Sequence, residues 1–184
     1  MVSELYRKNK NQRDAYSSPW PKKEAIMIRI WEVVWTLFVR WLPKPFYRWH
    51  IFLLKLFGAH ISGHPFIAPT ARIYAPWLLT VGDRSCIATR SEIYNLGPVI
   101  IKERVTIAQY AYICNGSHDL SDNKLPLVVG DVVIGARAII LPGLHLCRYS
   151  VVGAGAVLTQ NTTDFGIYAG NPARFIKERK IYGE

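Results

Sequence analysis

From Ile61 onward the chain repeats with a period of six, and that period constrains the fold more than any other feature. Aliphatic residues stand at Ile61, Ile67 and Ile73, then, after a slip of two, at Val81, Ile87 and Ile93. Another slip leads to Ile101, Ile107 and Ile113, and after a longer break come Val128, Ile134, Ile140, Leu146, Val152 and Leu158. Four places after most of these stands a small residue: Ala71, Ser85, Ser91, Ala111, Ser117, Ala138, Ser150 and Ala156. A helix would repeat at about 3.6 and a strand at about 2, so neither accounts for the spacing. A triangular coil does. Each flat side takes one hexad and points one aliphatic inward, and the narrow interior requires its other inward residue to be small. Stacked coils bury the aliphatics in columns that a single repeat could not form alone. Fifteen hexads, three to a coil, predict an all-β prism of about five coils over residues 61–165.

The break from Ile113 to Val128 spans fifteen residues where six would suffice, so it must loop out of the prism. It carries Gly116-Ser117-His118-Asp119.

Residues 1–60 follow other rules. Residues 1–20 are polar, and MVSELYRKNKNQRD lacks the apolar core of a secretory signal. From Ala25 to Leu42 nearly everything is apolar, and the exceptions Arg29, Glu32, Thr36 and Arg40 share one helical stripe. This predicts an amphipathic helix stopped by Pro43 and Pro45, then a second, Phe46–Phe57, capped by Gly58. The first helix is at the short limit for a membrane span and carries three charges, which speaks against one. Trp31, Trp35 and Trp41 beside arginines suit either the membrane interface or packing on the prism. Peripheral membrane contact through residues 24–57 stays open at this point.

The net charge of +10 is uneven: residues 1–60 hold eleven Lys and Arg against four acids, residues 61–184 twelve against nine. A basic excess confined to one end argues against a nucleic-acid groove along the body, and suits an anionic surface such as a membrane leaflet. Three cysteines, Cys86, Cys114 and Cys147, show no metal-ligand spacing and point to reduced thiols in the cytoplasm.

The hexads resemble the bacterial hexapeptide-repeat transferases over roughly residues 61–176. The segments IYNLGPVII, ICNGSHD, VVIGARAIILPGLHL and VVGAGAVLTQNTTDFGIYAGNPARFIK are similar to the branch containing maltose, galactoside and nodulation-factor acetyltransferases. With SSPWP in the N-terminal extension, the likeness is strongest to the colanic acid biosynthesis acetyltransferases. The resemblance implies a left-handed parallel β-helix with an N-terminal helical extension, a homotrimer, and acetyl-CoA as donor to a sugar hydroxyl in exopolysaccharide biosynthesis. The acceptor it implies is a saccharide or lipid-linked saccharide, with a C-terminal tail, residues 166–184, contacting CoA.

Transfer from a thioester to a hydroxyl needs a base near neutral pH, and the resemblance assigns that role to His118. Asp119 and Asp122 are candidates to orient it. Asn95 matches a family asparagine near the acceptor hydroxyl, or is a turn residue beside Gly97-Pro98; both readings stand. The family's oxyanion donor, a backbone amide, falls on Ala136. Gly135, Ala136, Ala154 and Gly155 are small enough to let pantetheine lie in a groove between prisms. Asn171, Pro172, Ala173 and Arg174 match the CoA-contacting tail, where Arg174 and Lys177 would meet phosphate. No metal is called for: a γ-carbonic-anhydrase-like zinc site needs three histidines on adjacent coils, and the loop offers one. The competing function is a non-catalytic trimer acting as a membrane-docked scaffold.

Overall fold

The computed structural model describes residues 22–43, 46–116 and 126–180. Two helices, α1 (Lys22–Phe38) and α2 (Tyr47–Leu56), precede a coil of short strands. The strands form three sheets of five, seven and five members among the described residues. Sheet 1 stacks β1 (His60–Ile61), β4 (Leu79–Val81), β7 (Val99–Ile101), β10 (Leu127–Val129) and β13 (His145–Leu146). Sheet 2 stacks β2 (Phe66–Ile67), β5 (Cys86–Ile87), β8 (Thr106–Ile107), β11 (Val133–Ile134), β14 (Val151–Val152) and β16 (Gly166–Gly170), and ends in β17 (Ala173–Glu178). Sheet 3 stacks β3 (Arg72–Ile73), β6 (Glu92–Tyr94), β9 (Tyr112–Cys114), β12 (Ile139–Ile140) and β15 (Val157–Leu158). All pairings are parallel except β16–β17.

The inward aliphatics form three buried columns, one per side, and strands this short persist because each column shares its burial with the coils above and below. Each fully buried Ile or Leu contributes roughly 1.5–3 kcal/mol relative to exposure. Of the small residues predicted for the interior, Ala71, Ser85, Ser91, Ala111, Ala138, Ser150 and Ala156 are buried, and Ser117 lies outside the described residues.

One position of the repeat is corrected. Val129, not Val128, faces inward: Leu127 and Val129 are fully buried, and Val129 pairs with Ile101 and Leu146. Val128 lies on the outer face. The following corner, Gly130–Val133, is one residue short, so counting back by six from Ile134 lands one place early.

The two slips of two residues fall at the same corner, between sheets 3 and 1. The first holds the short 3-10 turn Pro76–Leu78, and the second Asn95–Pro98. The long break opens at this corner one coil later. Insertions therefore accumulate along a single edge.

Many N–H groups bond a carbonyl of the next coil, as Arg72 N–H does to Ser91 and Tyr74 N–H to Ile93, while others, such as Leu127 N–H to Pro98, bond the coil before. The first coil's carbonyls are left open at the N-terminal end. There α1 supplies the donors: the Trp31 indole N–H bonds the Ile73 carbonyl at 2.8 Å, and that of Trp35 bonds Ala71 at 2.9 Å. α2 closes with Gly58 at φ +89°, where the Gly58 and Ala59 N–H groups return to the Lys55 and Leu54 carbonyls. The helix pair is a lid on the open end of the prism.

Candidate active site

Between β9, which ends at Cys114, and β10, which begins at Leu127, the described residues stop at Gly116 and resume at Pro126. His118, with Ser117, Asp119 and Asp122, lies outside the described residues. The root of the loop is held firmly. Asn115 donates through Nδ2 to the Pro98 carbonyl at 2.6 Å and accepts the Gly143 N–H at 3.2 Å, tying the coils on either side of the break. A Cβ on Gly116 would stand 2.8 Å from Leu96 and 3.0 Å from Tyr94, so a larger residue there would have to displace those side chains.

Beside this root, on the outer face of sheet 3, Tyr74, Tyr94 and Tyr112 form a column with ring centroids 5.0 and 6.3 Å apart. Burial pushes the Tyr94 hydroxyl up and that of Tyr112 up to about 12, so both stay protonated at neutral pH. All three cysteines are free, and burial raises the thiols of Cys86 and Cys147, which keeps them poor nucleophiles.

Asn95 has no exposed surface. Its Oδ1 accepts the Ala75 N–H at 2.9 Å and its Nδ2 donates to the Ala75 carbonyl at 2.6 Å. Both ends of the side chain bond the Ala75 backbone at this corner, which is the arrangement the turn reading describes.

The residues expected along the donor path fall on a different edge, between sheets 2 and 3. Gly135 and Ala136 sit on one coil, Ala154 and Gly155 on the next, and the Gly155 N–H bonds the Ala136 carbonyl at 2.8 Å. A Cβ on Gly135 would lie 2.5 Å from the Ala154 nitrogen, so the close stacking itself requires glycine there. Gly155, at φ +68°, faces open space. Beyond it Gly153 stacks on Ala169, and the β16–β17 hairpin carries Asn171, cis-Pro172 and Ala173 at its turn. Ala173 is buried against Gly170, whereas Arg174 and Lys177 are exposed, with no carboxylate partner among the described residues. These segments make one continuous strip poor in side chains.

Sequence reasoning missed a group on the same edge. Arg90 donates to the Tyr110 hydroxyl at 2.8 Å, and the Arg90 and Arg137 guanidiniums stand 5.7 and 5.6 Å from the Tyr110 ring centroid. The coil spacing of twenty between Arg90 and Tyr110 was the available signal. Among the described residues no cluster of three His, Cys, Asp or Glu side chains could hold a metal.

A triangular parallel coil with one looped-out corner and one bare edge is the architecture of the left-handed β-helix acyltransferases. No family model matches the chain. It is 34% identical over 161 residues to WcaF of Escherichia coli strain K12, named for acetyl transfer in colanic acid biosynthesis, covering 84% of this chain and 88% of that one. Among solved structures it superposes on the hexapeptide-repeat acetyltransferase VCA0836 of Vibrio cholerae in complex with acetyl-CoA. That match has a TM-score of 0.75 and 21% identity, covering 92% of this chain and 94% of that one. A galactoside acetyltransferase in complex with coenzyme A superposes with a TM-score of 0.77 and 21% identity, covering 91% and 90%. At such identities the structures speak for the fold alone; the sequence relationship to WcaF carries the family. The chain belongs to the hexapeptide-repeat acetyltransferase family and is an acetyltransferase.

Proposed function

We propose that the protein transfers the acetyl group of acetyl-CoA to a hydroxyl of a saccharide, free or lipid-linked, in exopolysaccharide assembly on the cytoplasmic side of the membrane. The observation that carries this reading is the strip of small residues from Gly135 to the Asn171–Ala173 turn, where Gly155 faces open space beside the backbone of Ala136. Exposed Arg174 and Lys177 at its end suit the phosphates of CoA. The saccharide acceptor is supported by the names of WcaF and of the galactoside acetyltransferase.

His118 takes the proton from the acceptor hydroxyl as the oxygen attacks the thioester carbonyl. The tetrahedral oxyanion rests on the Ala136 N–H, which bonds no backbone carbonyl among the described residues. The intermediate collapses, the C–S bond breaks, and the CoA thiolate leaves and takes the proton from His118. The loop root and the strip lie on different edges of one prism, and a cyclic homotrimer sets the loop of one chain against the strip of the next, giving three such sites.

The test is His118→Ala. Turnover with acetyl-CoA and a saccharide panel should fall by about 10²–10⁴-fold, while acetyl-CoA affinity measured by calorimetry stays within about twofold. Undiminished turnover would remove His118 from the mechanism.

A further inference from the structure

The lid helices have a second apolar surface that the prism does not use. On α1 the buried residues Ile28, Trp31 and Trp35, continued by Val39, follow helical spacing and face the first coil. Ile26, Ile30, Val33 and Leu37 follow the same spacing nearly half a turn away, and all four are exposed, Leu37 by 63%. The polar residues Arg29, Glu32, Thr36 and Arg40 run between the two stripes rather than opposite the core. α1 is therefore apolar on both its inner and outer faces.

α2 repeats the arrangement. His50, Leu53 and Leu54 face inward, while Trp49, Phe52 and Leu56 form an exposed stripe. Arg48 and Lys55, two turns apart and exposed, flank that stripe. The end of α1 is tied to α2 beside that stripe: the Trp49 indole N–H bonds the Phe38 carbonyl at 3.1 Å, its ring stacks on Phe52 at 5.5 Å, and Phe38 and Trp41 are themselves exposed, Trp41 by 77%. Large apolar side chains exposed along both helices of one lid mark a docking face.

Charge identifies what docks. Residues 22–57 contain seven Lys and Arg against two Glu. One of those acids, Glu32, is already held by Arg29 at 2.9 Å and Arg72 at 3.3 Å. A second copy of this face would bring like charge against like. An anionic lipid surface brings the opposite charge, and tryptophans with arginine and lysine suit the headgroup depth. Among the described residues no helix is long and apolar enough to cross a membrane, so the pair would lie in the interface plane.

The geometry points to the outer faces of α1 and α2 as a seat on an anionic bilayer, with the N-terminal end of the prism toward the lipid. This deepens the lipid-linked version of the function proposed above, yet its test is independent of acetyl transfer. The full chain is floated with phosphatidylcholine vesicles, with vesicles containing phosphatidylglycerol, and without vesicles. It should rise with the anionic vesicles, less with the neutral ones, and be released in part by salt. Leu37→Glu/Phe52→Glu should abolish flotation, and Arg48→Gln/Lys55→Gln, which touches no apolar contact, should weaken partitioning about thirty-fold. Both variants should keep transfer to a free sugar, so loss of that activity in the wild type would count against the enzyme reading and not against docking. Equal recovery with and without anionic vesicles overturns the proposal. So does a Leu37→Glu/Phe52→Glu variant that floats unchanged but loses mass by light scattering, which would assign the face to a second copy.

Discussion

His50 is the residue under most tension in the lid. It is fully buried, edge-on to Trp35 at 6.1 Å, and among the described residues neither ring nitrogen makes a hydrogen bond of good geometry. Burial lowers its pKa from 6.5, and the nearby Ile67 carbonyl opposes that only in part. A lowered folded pKa means the unfolded chain binds the extra proton more readily. Stability is therefore whole above about pH 6.5 and declines as pH falls toward the folded value. Thermal melts of the wild type should drop across that window, while His50→Phe should flatten the dependence; parallel curves would refute this role. At the same scale, the indoles of Trp31 and Trp35 and the amide of Asn95 were legible only as residue types. Each is defined by a carbonyl or N–H from a distant part of the chain, at Ile73, Ala71 and Ala75, and no local pattern names that partner.

The strands show where counting works and where it fails. Ile87 and Ile107 could be assigned inward from spacing because their corners are regular. Val128 could not, because a run of valines offers two equivalent candidates and the next corner is short. The better signal was local: Val81-Gly82-Asp83 and Val129-Gly130-Asp131 are the same corner, and Arg104, from the coil between them, pairs with Asp131 at 3.0 Å. Val129→Asp should place an unpaired carboxylate in a dry column and prevent cooperative folding, whereas Val128→Thr should shift stability by less than about 1 kcal/mol. Equal tolerance in denaturant melts would put the register back in question. The helices reverse this lesson. The stripe of Arg29, Glu32, Thr36 and Arg40 was visible, but which apolar flank meets the prism depends on the open carbonyls of the first coil.

Across the whole molecule three regions divide the work: a lid at one end, a looped corner midway, and a bare edge running to the C-terminal hairpin. The bare edge was legible because glycine and alanine recur where one coil passes close over another. Its Arg90–Tyr110–Arg137 group was not, since cations on a surface have no period of their own. The central claim is that loop and edge belong to different subunits of one site. It is tested by mixing two inactive proteins: His118→Ala, which keeps its edge, and Ala154→Trp, which keeps its loop but fills the strip. Unfolded and refolded together in equal amounts, they should regain about one quarter of wild-type acetyltransferase activity, because a random cyclic trimer pairs an intact loop with an intact edge at that frequency. A mixture no more active than either parent alone would contradict the shared site.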